Sequence, residues 1–405
     1  MRTFNRRKFL GAAVATGLVP MINVSAAIPD AREHLHSDIG KSKWDLDSPA
    51  LCVDLDKMER NIRKAQASLK TAGLGVRPHA KTHKCPAIAK MQIEAGAIGI
   101  CAAKLSESEV MLSNGIASVL MTGVNLSIPK INKAMALRKK YPGFIQAVDN
   151  AQNAQDLQDA AKAAGIKADV VVDINVIRRS GVLPGAPALA LAQQVDKSSN
   201  LRFRGILAYD GGVQHVMGYD KRLSECLKNI EPAVLSYDMM KASGLNLEIF
   251  SGGGTGTYDM MNKVKGFTDV QIGSYLFMDC QYMEIGGTNN ASLYDDFEPS
   301  LTVLATIINN NYPGRLVTDS GAKALTLNKP TAITLGEPGF SYNAGSDEYG
   351  TISYENASKT YKTGDKIEVI VPHCDPVVNL YDVMYGIRHG KVESVLPILG
   401  RGKSQ

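Results

Sequence analysis

Between Gly75 and Ser274 the chain alternates short β-rich runs with longer stretches of helical periodicity, and it does so eight times. The runs read as strands over Gly75–Ala80, Ala97–Ala102, Ser118–Thr122, Phe144–Val148, Asp169–Ile174, Phe203–Ala208, Leu247–Phe250 and Val270–Ser274. Helical stretches such as Pro86–Ala95, Leu105–Asn114, Ile128–Tyr141, Ala151–Ala164, Ala186–Ser198 and Tyr219–Ser243 lie between them. Pro86 suits the first turn of a helix, and Gly115 and Gly165 follow helix ends as C-cap glycines do. Eight β/α repeats are what an α/β chain needs to close a (β/α)8 TIM-type barrel. A doubly wound open sheet is the competing architecture, usually with a glycine-rich turn after its first strand. Here that strand ends in Lys81-Thr82-His83 and the glycine-rich turn follows the seventh, which favours the barrel.

The texture changes beyond about Asp295. Runs such as Ser300–Ile308, Arg315–Asp319, Ala332–Leu335 and Lys366–Pro372 are separated by Gly, Asn, Pro and Asp turns. They predict a C-terminal all-β domain over 295–405, after a barrel over 45–294. Residues about 48–55, ahead of the barrel, are expected to add a strand to that domain. The N-terminus has a different character. Arg6-Arg7-Lys8-Phe9-Leu10, a modest apolar run to Met21 and Val24-Ser25-Ala26 have the layout of a twin-arginine export signal over 1–26. The expectation is a periplasmic protein handled by the twin-arginine machinery, without stable membrane insertion, because the apolar run is too short to span. The net charge of +5 is mild and forms no long basic block, which argues against nucleic acid. The six cysteines show no CxxC and no zinc-ribbon spacing, and folding before export favours free, buried thiols.

In such a barrel the active site lies at the C-terminal ends of the strands. Arg77, His79 and Lys81 alternate along the first strand and so share a face. Burying three basic groups costs several kcal/mol unless a partner neutralises them. A phosphorylated cofactor is one such partner, and pyridoxal phosphate also needs a lysine for covalent attachment. A solvated basic edge strand is the bland alternative. Other strand ends supply Arg178 and Arg179, Tyr209 with His215 in the loop beyond it, then Ser251-Gly252-Gly253-Gly254-Thr255, and finally Ser274 and Tyr275. Loops after strands seven and eight build phosphate sites in these barrels, and a turn rich in Gly, Ser and Thr exposes several N–H groups to one anion. Lys84 lies past the strand and is worse placed than Lys81.

His373-Cys374-Asp375 is the second anchor. On an extended backbone its imidazole and carboxylate share a face, while Cys374 points away. The pair is either a hydrogen-bonded couple without metal or the protein part of a divalent metal site. Oxygen beside imidazole suits Mn2+, with Mg2+ or Co2+ as further candidates and Zn2+ less favoured.

These landmarks, with Asp47-Ser48-Pro49-Ala50, Gln214-His215, Gly273-Ser274-Tyr275, Asp279 and Asn379-Leu380-Tyr381-Asp382, resemble the D-threonine aldolase and D-serine dehydratase group of fold-type III pyridoxal-phosphate enzymes, relatives of alanine racemase. The likeness runs from about Asp45 to Pro397. It implies a homodimer, Lys81 as the cofactor lysine, and His373 with Asp375 as metal ligands. It also implies Arg179 and Tyr209 beside the cofactor ring and His215 near the substrate's β-hydroxyl, to which the strand-end reading adds His79 and, around the phosphate, the Ser251–Thr255 turn with Ser274 and Tyr275. Relatives usually have a glycine within the stretch that here reads Asn175-Val176-Ile177-Arg178, which leaves the choice between Arg178 and Arg179 open. Dehydratases of the group resemble a His-x-Cys site and aldolases a His-x-Asp site, so Asp375 favours an aldolase acting on a β-hydroxy-D-amino acid. A D-serine or 3-hydroxy-D-aspartate dehydratase and a non-catalytic pyridoxal-phosphate-binding protein are the alternatives.

Overall fold

A computed structural model describes residues 37–177 and 180–405, so the export signal and both Arg178 and Arg179 lie outside the described residues. β1 (Ala50–Asp54) leads into a helix over Leu55–Thr71, where the Asp54 side chain accepts the Lys57 N–H as N-cap. Eight strands follow: β2 (Gly75–Val76), β3 (Ile100–Ala102), β4 (Val119–Met121), β5 (Phe144–Val148), β6 (Ala168–Asp173), β7 (Leu201–Ala208), β8 (Ile249–Gly252) and β9 (Asp269–Val270). They pair in the order β2-β9-β8-β7-β6-β5-β4-β3, every pair parallel. The two free edges meet where Cys101 N–H donates to the Pro78 carbonyl at 2.8 Å and a parallel bridge joins His79 to Cys101. The sheet thereby curls into the TIM-type barrel expected from the sequence.

The six expected helices form, each one residue shorter at its C-terminal end. Ala95, Asn114, Tyr141, Ala164, Ser198 and Ser243 serve as C-caps and not as last helical residues. The first and eighth strands are also shorter than predicted. β2 stops at Val76, because Pro78 has no N–H to extend the ladder and Ala80–Thr82 turns into a 3-10 helix. Beyond β9 the chain still pairs through its backbone, His79 N–H donating to Ile272 O at 2.8 Å, before a second 3-10 turn at Ser274–Leu276.

One sequence expectation needs correcting. Arg77, His79 and Lys81 do not share one anion. Arg77 lies buried inside the barrel and donates from Nε to Asp269 Oδ1 at 3.0 Å. Ser251 donates to the same oxygen at 2.5 Å and accepts from Gln271 at 2.9 Å. A carboxylate on the neighbouring strand already neutralises Arg77.

The C-terminal domain contains β10 (Leu301–Tyr312), β11 (Arg315–Thr318), β12 (Ile333–Thr334), β13 (Phe340–Asn343), β14 (Gly350–Tyr354), β15 (Lys366–Ile370), β16 (Val383–Arg388) and β17 (Lys391–Pro397). Its main path runs β13-β14-β11-β10-β1-β16-β17, and β15 pairs with both β10 and β12. β1 sits inside this sheet, antiparallel to β10 and parallel to β16. The helix Leu55–Thr71 then leads from it to the barrel. Asn61 on that helix donates to the Leu276 and Glu298 carbonyls, tying both domains to one side chain. All six cysteines are buried and unpaired.

Removing the carboxylate from the barrel interior should leave Arg77 buried without a counter-ion. Asp269→Ala is expected to cost about 3–5 kcal/mol, as broken buried ion pairs do. Urea unfolding followed by circular dichroism measures it; a loss below about 1 kcal/mol, the range of an exposed pair, would show that the layer is not the barrel's keystone.

Candidate active site

The C-terminal mouth of the barrel faces the β domain across a cavity of about 270 Å3. From the barrel it is lined by His79, Lys81, Thr82, Thr122, Tyr209, His215, Gly254, Thr255, Gln271, Gly273, Ser274 and Tyr282, and from the β domain by His373 and Asp375. The local fold explains each placement. Lys81 projects from the 3-10 turn Ala80–Thr82, whose N-cap His79 accepts the Lys81 N–H on Nδ1 at 3.4 Å. The other His79 nitrogen lies 3.3 Å from Thr122 Oγ1, so both edges of the ring are fixed. Tyr209 directly follows β7, and His215 closes a 3-10 turn, Val213–His215, with its ring 4.5 Å from that of Tyr282.

His373 is on extended backbone as the sequence suggested, but Asp375 is not. His373 is the N-cap of a short helix, Cys374–Val378, and Asp375 lies in its first turn. Cys374 is fully buried, with its sulfur 3.7 Å from Asp375 Oδ1. Asp279, wholly buried, stands behind the pair. Its Oδ2 lies 2.8 Å from His373 Nδ1 and accepts the Cys374 N–H, while Oδ1 accepts the Tyr282 N–H. Asp279, His373 and Cys374 lie close enough to form a metal-binding group of their own. Both Asp279 oxygens are already engaged, however, and neither Asp279 nor Cys374 lines the cavity. His373 and Asp375 do, with Asp279 as the carboxylate that fixes the imidazole.

Charge is tightly matched here. Lys81 Nζ lies 3.1 Å from Asp375 Oδ2. That carboxylate raises the Lys81 pKa well above the ordinary lysine value, outweighing burial. Burial pushes Asp375 up, but Lys81 and then His373 pull it down further, well below the usual carboxylate range. For His373, burial acts downward and the Asp279 hydrogen bond prevails, so its pKa is raised. His215 is lowered, chiefly by burial.

The structure thus gathers His79, Lys81, Tyr209, His215, Gly254, Thr255, Ser274, His373 and Asp375 around one cavity. It does not bring Ser251, Gly252, Gly253 or Tyr275 to the cavity wall. The Ser251 hydroxyl faces the barrel interior, and Gly253 takes φ +63° with Met261 packed where a side chain would go. Tyr275 is buried, with its hydroxyl accepting from Gln92 at 3.0 Å. The placement of Arg179 falls outside the described residues. Lys84 is engaged elsewhere, 3.1 Å from Glu107 and 3.0 Å from Asn379 Oδ1. Thr122, Gln271 and Tyr282 carried no motif, and Asp279 stood among the landmarks without a role; only the fold shows where they lie.

Residues 53–281 match the alanine racemase N-terminal domain family, and residues 300–387 match a serine dehydratase domain family. The 3-hydroxy-D-aspartate aldolase of Paracoccus denitrificans (strain Pd 1222) is 33% identical over 367 residues, covering 90% of this chain and 94% of that protein. The D-threonine aldolase of an Arthrobacter species is 34% identical over 361 residues, covering 89% and 94%. The crystal structure of D-threonine aldolase from Filomicrobium marinum superposes with a TM-score of 0.86 at 34% identity, covering 91% of this chain and 98% of that one. Barrel, β domain and site together define an alanine-racemase-like enzyme. Within that class, the chain belongs to the D-threonine aldolase and D-serine dehydratase family of fold-type III pyridoxal-phosphate enzymes.

The Asp279 contact has a measurable signature. Asp279→Asn keeps an N-cap for the Tyr282 turn but removes the charge facing His373. The Asp375 charge alone then opposes burial, and the imidazole pKa should fall from its raised value. Histidine-selective NMR titration of metal-free protein reads this; an unmoved His373 would show that Asp279 does not set its charge.

Proposed function

We propose that this chain is a pyridoxal-phosphate- and divalent-metal-dependent aldolase that cleaves β-hydroxy-D-amino acids of the D-threonine type into glycine and an aldehyde. The observation that carries the reading is the convergence of Lys81, His215, His373 and Asp375 on one cavity between the two domains. The relatives named as D-threonine and 3-hydroxy-D-aspartate aldolases support it.

The residues present fit the cofactor. Among the described residues one lysine, Lys81, lines the cavity, and two turns bring bare backbone to its wall. At Gly254 a Cβ would lie 2.7 Å from Gln214 Oε1, and at Gly273 it would lie 2.6 Å from Thr82 Oγ1, so side chains are excluded where an anion must approach. Thr255 and Ser274 each open a 3-10 turn with a leading N–H, the next N–H of each turn being engaged already, that of Gly256 by Gln214 Oε1 and that of Tyr275 by Thr255 Oγ1. When bound, the cofactor supplies the electron sink that makes Cα–Cβ cleavage feasible.

The donor set also fits a metal. His373 and Asp375 present an imidazole and a carboxylate to the same cavity, and these two side chains would hold a divalent ion. Such an ion supplies Lewis acidity to the β-hydroxyl, and the oxygen donor suits Mn2+ better than Zn2+.

Around these groups the protein's own residues have defined tasks. Lys81 would hold the cofactor through its amine. His79 and Tyr209, which line the same cavity, would hold its ring. The His215 imidazole, kept neutral by burial, accepts the proton of the β-hydroxyl as the Cα–Cβ bond breaks. A proton then returns to Cα to give glycine. The chain is further proposed to act as a homodimer and to work in the periplasm, exported through Arg6-Arg7 and the following apolar run.

Purified enzyme given D-threonine should release acetaldehyde and glycine; 2-keto acid and ammonia would assign the dehydratase reaction instead. Lys81→Ala should lose the cofactor's visible absorbance and all turnover, and borohydride labelling of Lys84 in the wild type would overturn the assignment. Chelation should abolish turnover while the cofactor stays bound, with Mn2+ restoring more activity than Zn2+. Asp375→Ala should match the chelated enzyme, and full turnover after exhaustive chelation would leave His373 and Asp375 as a structural couple. Replacing Arg6 and Arg7 by lysine should retain the protein in the cytoplasm on cell fractionation; unchanged export would refute the twin-arginine route.

A further inference from the structure

Arg222 is the largest fully buried side chain among the described residues, with no exposed surface, yet no carboxylate lies within ion-pair distance of it there. Its guanidinium is engaged by main-chain carbonyls. Nε donates to Gly256 O at 2.7 Å, Nη1 to Val216 O at 2.9 Å and Ile285 O at 3.0 Å, and Nη2 to Gly286 O at 2.8 Å. These carbonyls belong to three separate segments, and each segment carries a wall of the cavity. Gly256 lies in the turn that presents Gly254 and Thr255. Val216 caps the turn that ends in His215. Ile285 and Gly286 follow the short helix holding Tyr282, whose ring packs on His215.

A second buried side chain supports the same turn. Tyr294, its ring 5.5 Å from the guanidinium, donates its hydroxyl to Thr255 O at 2.8 Å. The consecutive carbonyls of Thr255 and Gly256 are therefore both held from behind, away from the cavity. The Gly256 N–H is taken by Gln214 Oε1 at 3.0 Å, and no side chain fits at Gly256, where a Cβ would lie 2.2 Å from Gln214 O. A buried cation held by carbonyl dipoles and the rings of Tyr219 and Tyr294 is costly unless an anion lies nearby. Burial accordingly lowers the Arg222 pKa, and Asp259 and Asp296 act on it only through space.

We infer that Arg222 is a positioning residue for the anionic end of the cofactor: it presets the Gly254–Thr257 turn for a phosphate group and locks that turn to the His215 loop. The inference rests on the pyridoxal-phosphate reading above. The phosphate supplies the negative charge that the buried guanidinium lacks, across one peptide turn and without direct contact. Lysine cannot substitute, because a point charge with three donors cannot fasten carbonyls that lie in the fixed plane of a guanidinium fork.

The test compares two probes on full-length, cofactor-stripped protein: pyridoxal phosphate, and pyridoxal without its phosphate. In Arg222→Lys, affinity for pyridoxal phosphate should fall by about ten-fold or more, the size expected for lost charge-assisted hydrogen bonds, with pyridoxal uptake by Lys81 nearly unchanged. Equal losses for both probes would mark Arg222 as merely structural and overturn the inference, as would unchanged pyridoxal phosphate affinity in a folded variant. If Arg222→Lys fails to fold, Tyr294→Phe, which frees the Thr255 carbonyl and keeps the cation, takes its place with the same two probes. A selective loss of pyridoxal phosphate affinity there supports the preset turn, and equal losses or none overturn it. Wild-type protein that takes up neither probe would fail the cofactor reading itself, and this inference with it.

Discussion

The ion pair between Lys81 and Asp375 is where the barrel mouth and the β domain meet chemically. The lysine comes from a turn at the barrel mouth and the aspartate from the first turn of a helix in the β domain. Neither domain holds a complete site. Each partner also sets the other's protonation, since the carboxylate keeps the amine charged and the amine helps keep the carboxylate ionised. Under the proposed function, relative placement of the domains is therefore a catalytic variable. Asn61, bonded to carbonyls on both sides of the boundary, is one side chain that fixes it.

Polar groups that touch no reactant do much of the organising. Asp279 faces away from the cavity, yet it orients His373, caps the turn with Tyr282 and accepts the Cys374 N–H. Arg222 plays the corresponding part for the glycine-rich turn. Deeper still, Arg77, Asp269, Ser251 and Gln271 link strands that meet near the barrel seam. In each case a buried charge is held by several short, directional contacts. Such contacts hold rotamers more firmly than apolar packing can, because an unmade bond to a buried charge is expensive.

The barrel was legible because its signal repeats: eight strand–helix units leave few alternatives, and caps at residues such as Ala95 and Ser243 shift a boundary by only one position. Strand ends were harder to read. Pro78 sits in a run with a strand-like alternation, but its missing N–H ends β2 early, and a face-sharing argument then grouped Arg77 with Lys81 across a bend. Ser251 was misplaced for the same reason. It has the composition of the phosphate turn, while in the fold its hydroxyl points along the strand into the barrel. Lys81, His215, His373 and Asp375 could be picked out because their chemistry is unusual at strand ends. Asp279, Tyr282 and Arg222 could not, since a capping carboxylate, a buried tyrosine and a helix arginine look ordinary until distant carbonyls and rings converge on them.

β1 carries a consequence for the order in which this chain can fold. Its residues 50–54 lie between β10 and β16, bonding to positions 301–304 on one side and 385–387 on the other. The strand is among the first parts of the domain to be synthesised, and its neighbours are among the last. Loops of that length close slowly, because the entropy of bringing such distant segments together must be overcome before their pairing is rewarded. The barrel's local β/α contacts can form in the meantime. Asp375 would then arrive beside Lys81 only after the whole barrel has been made, making assembly of the site a late event by topology alone.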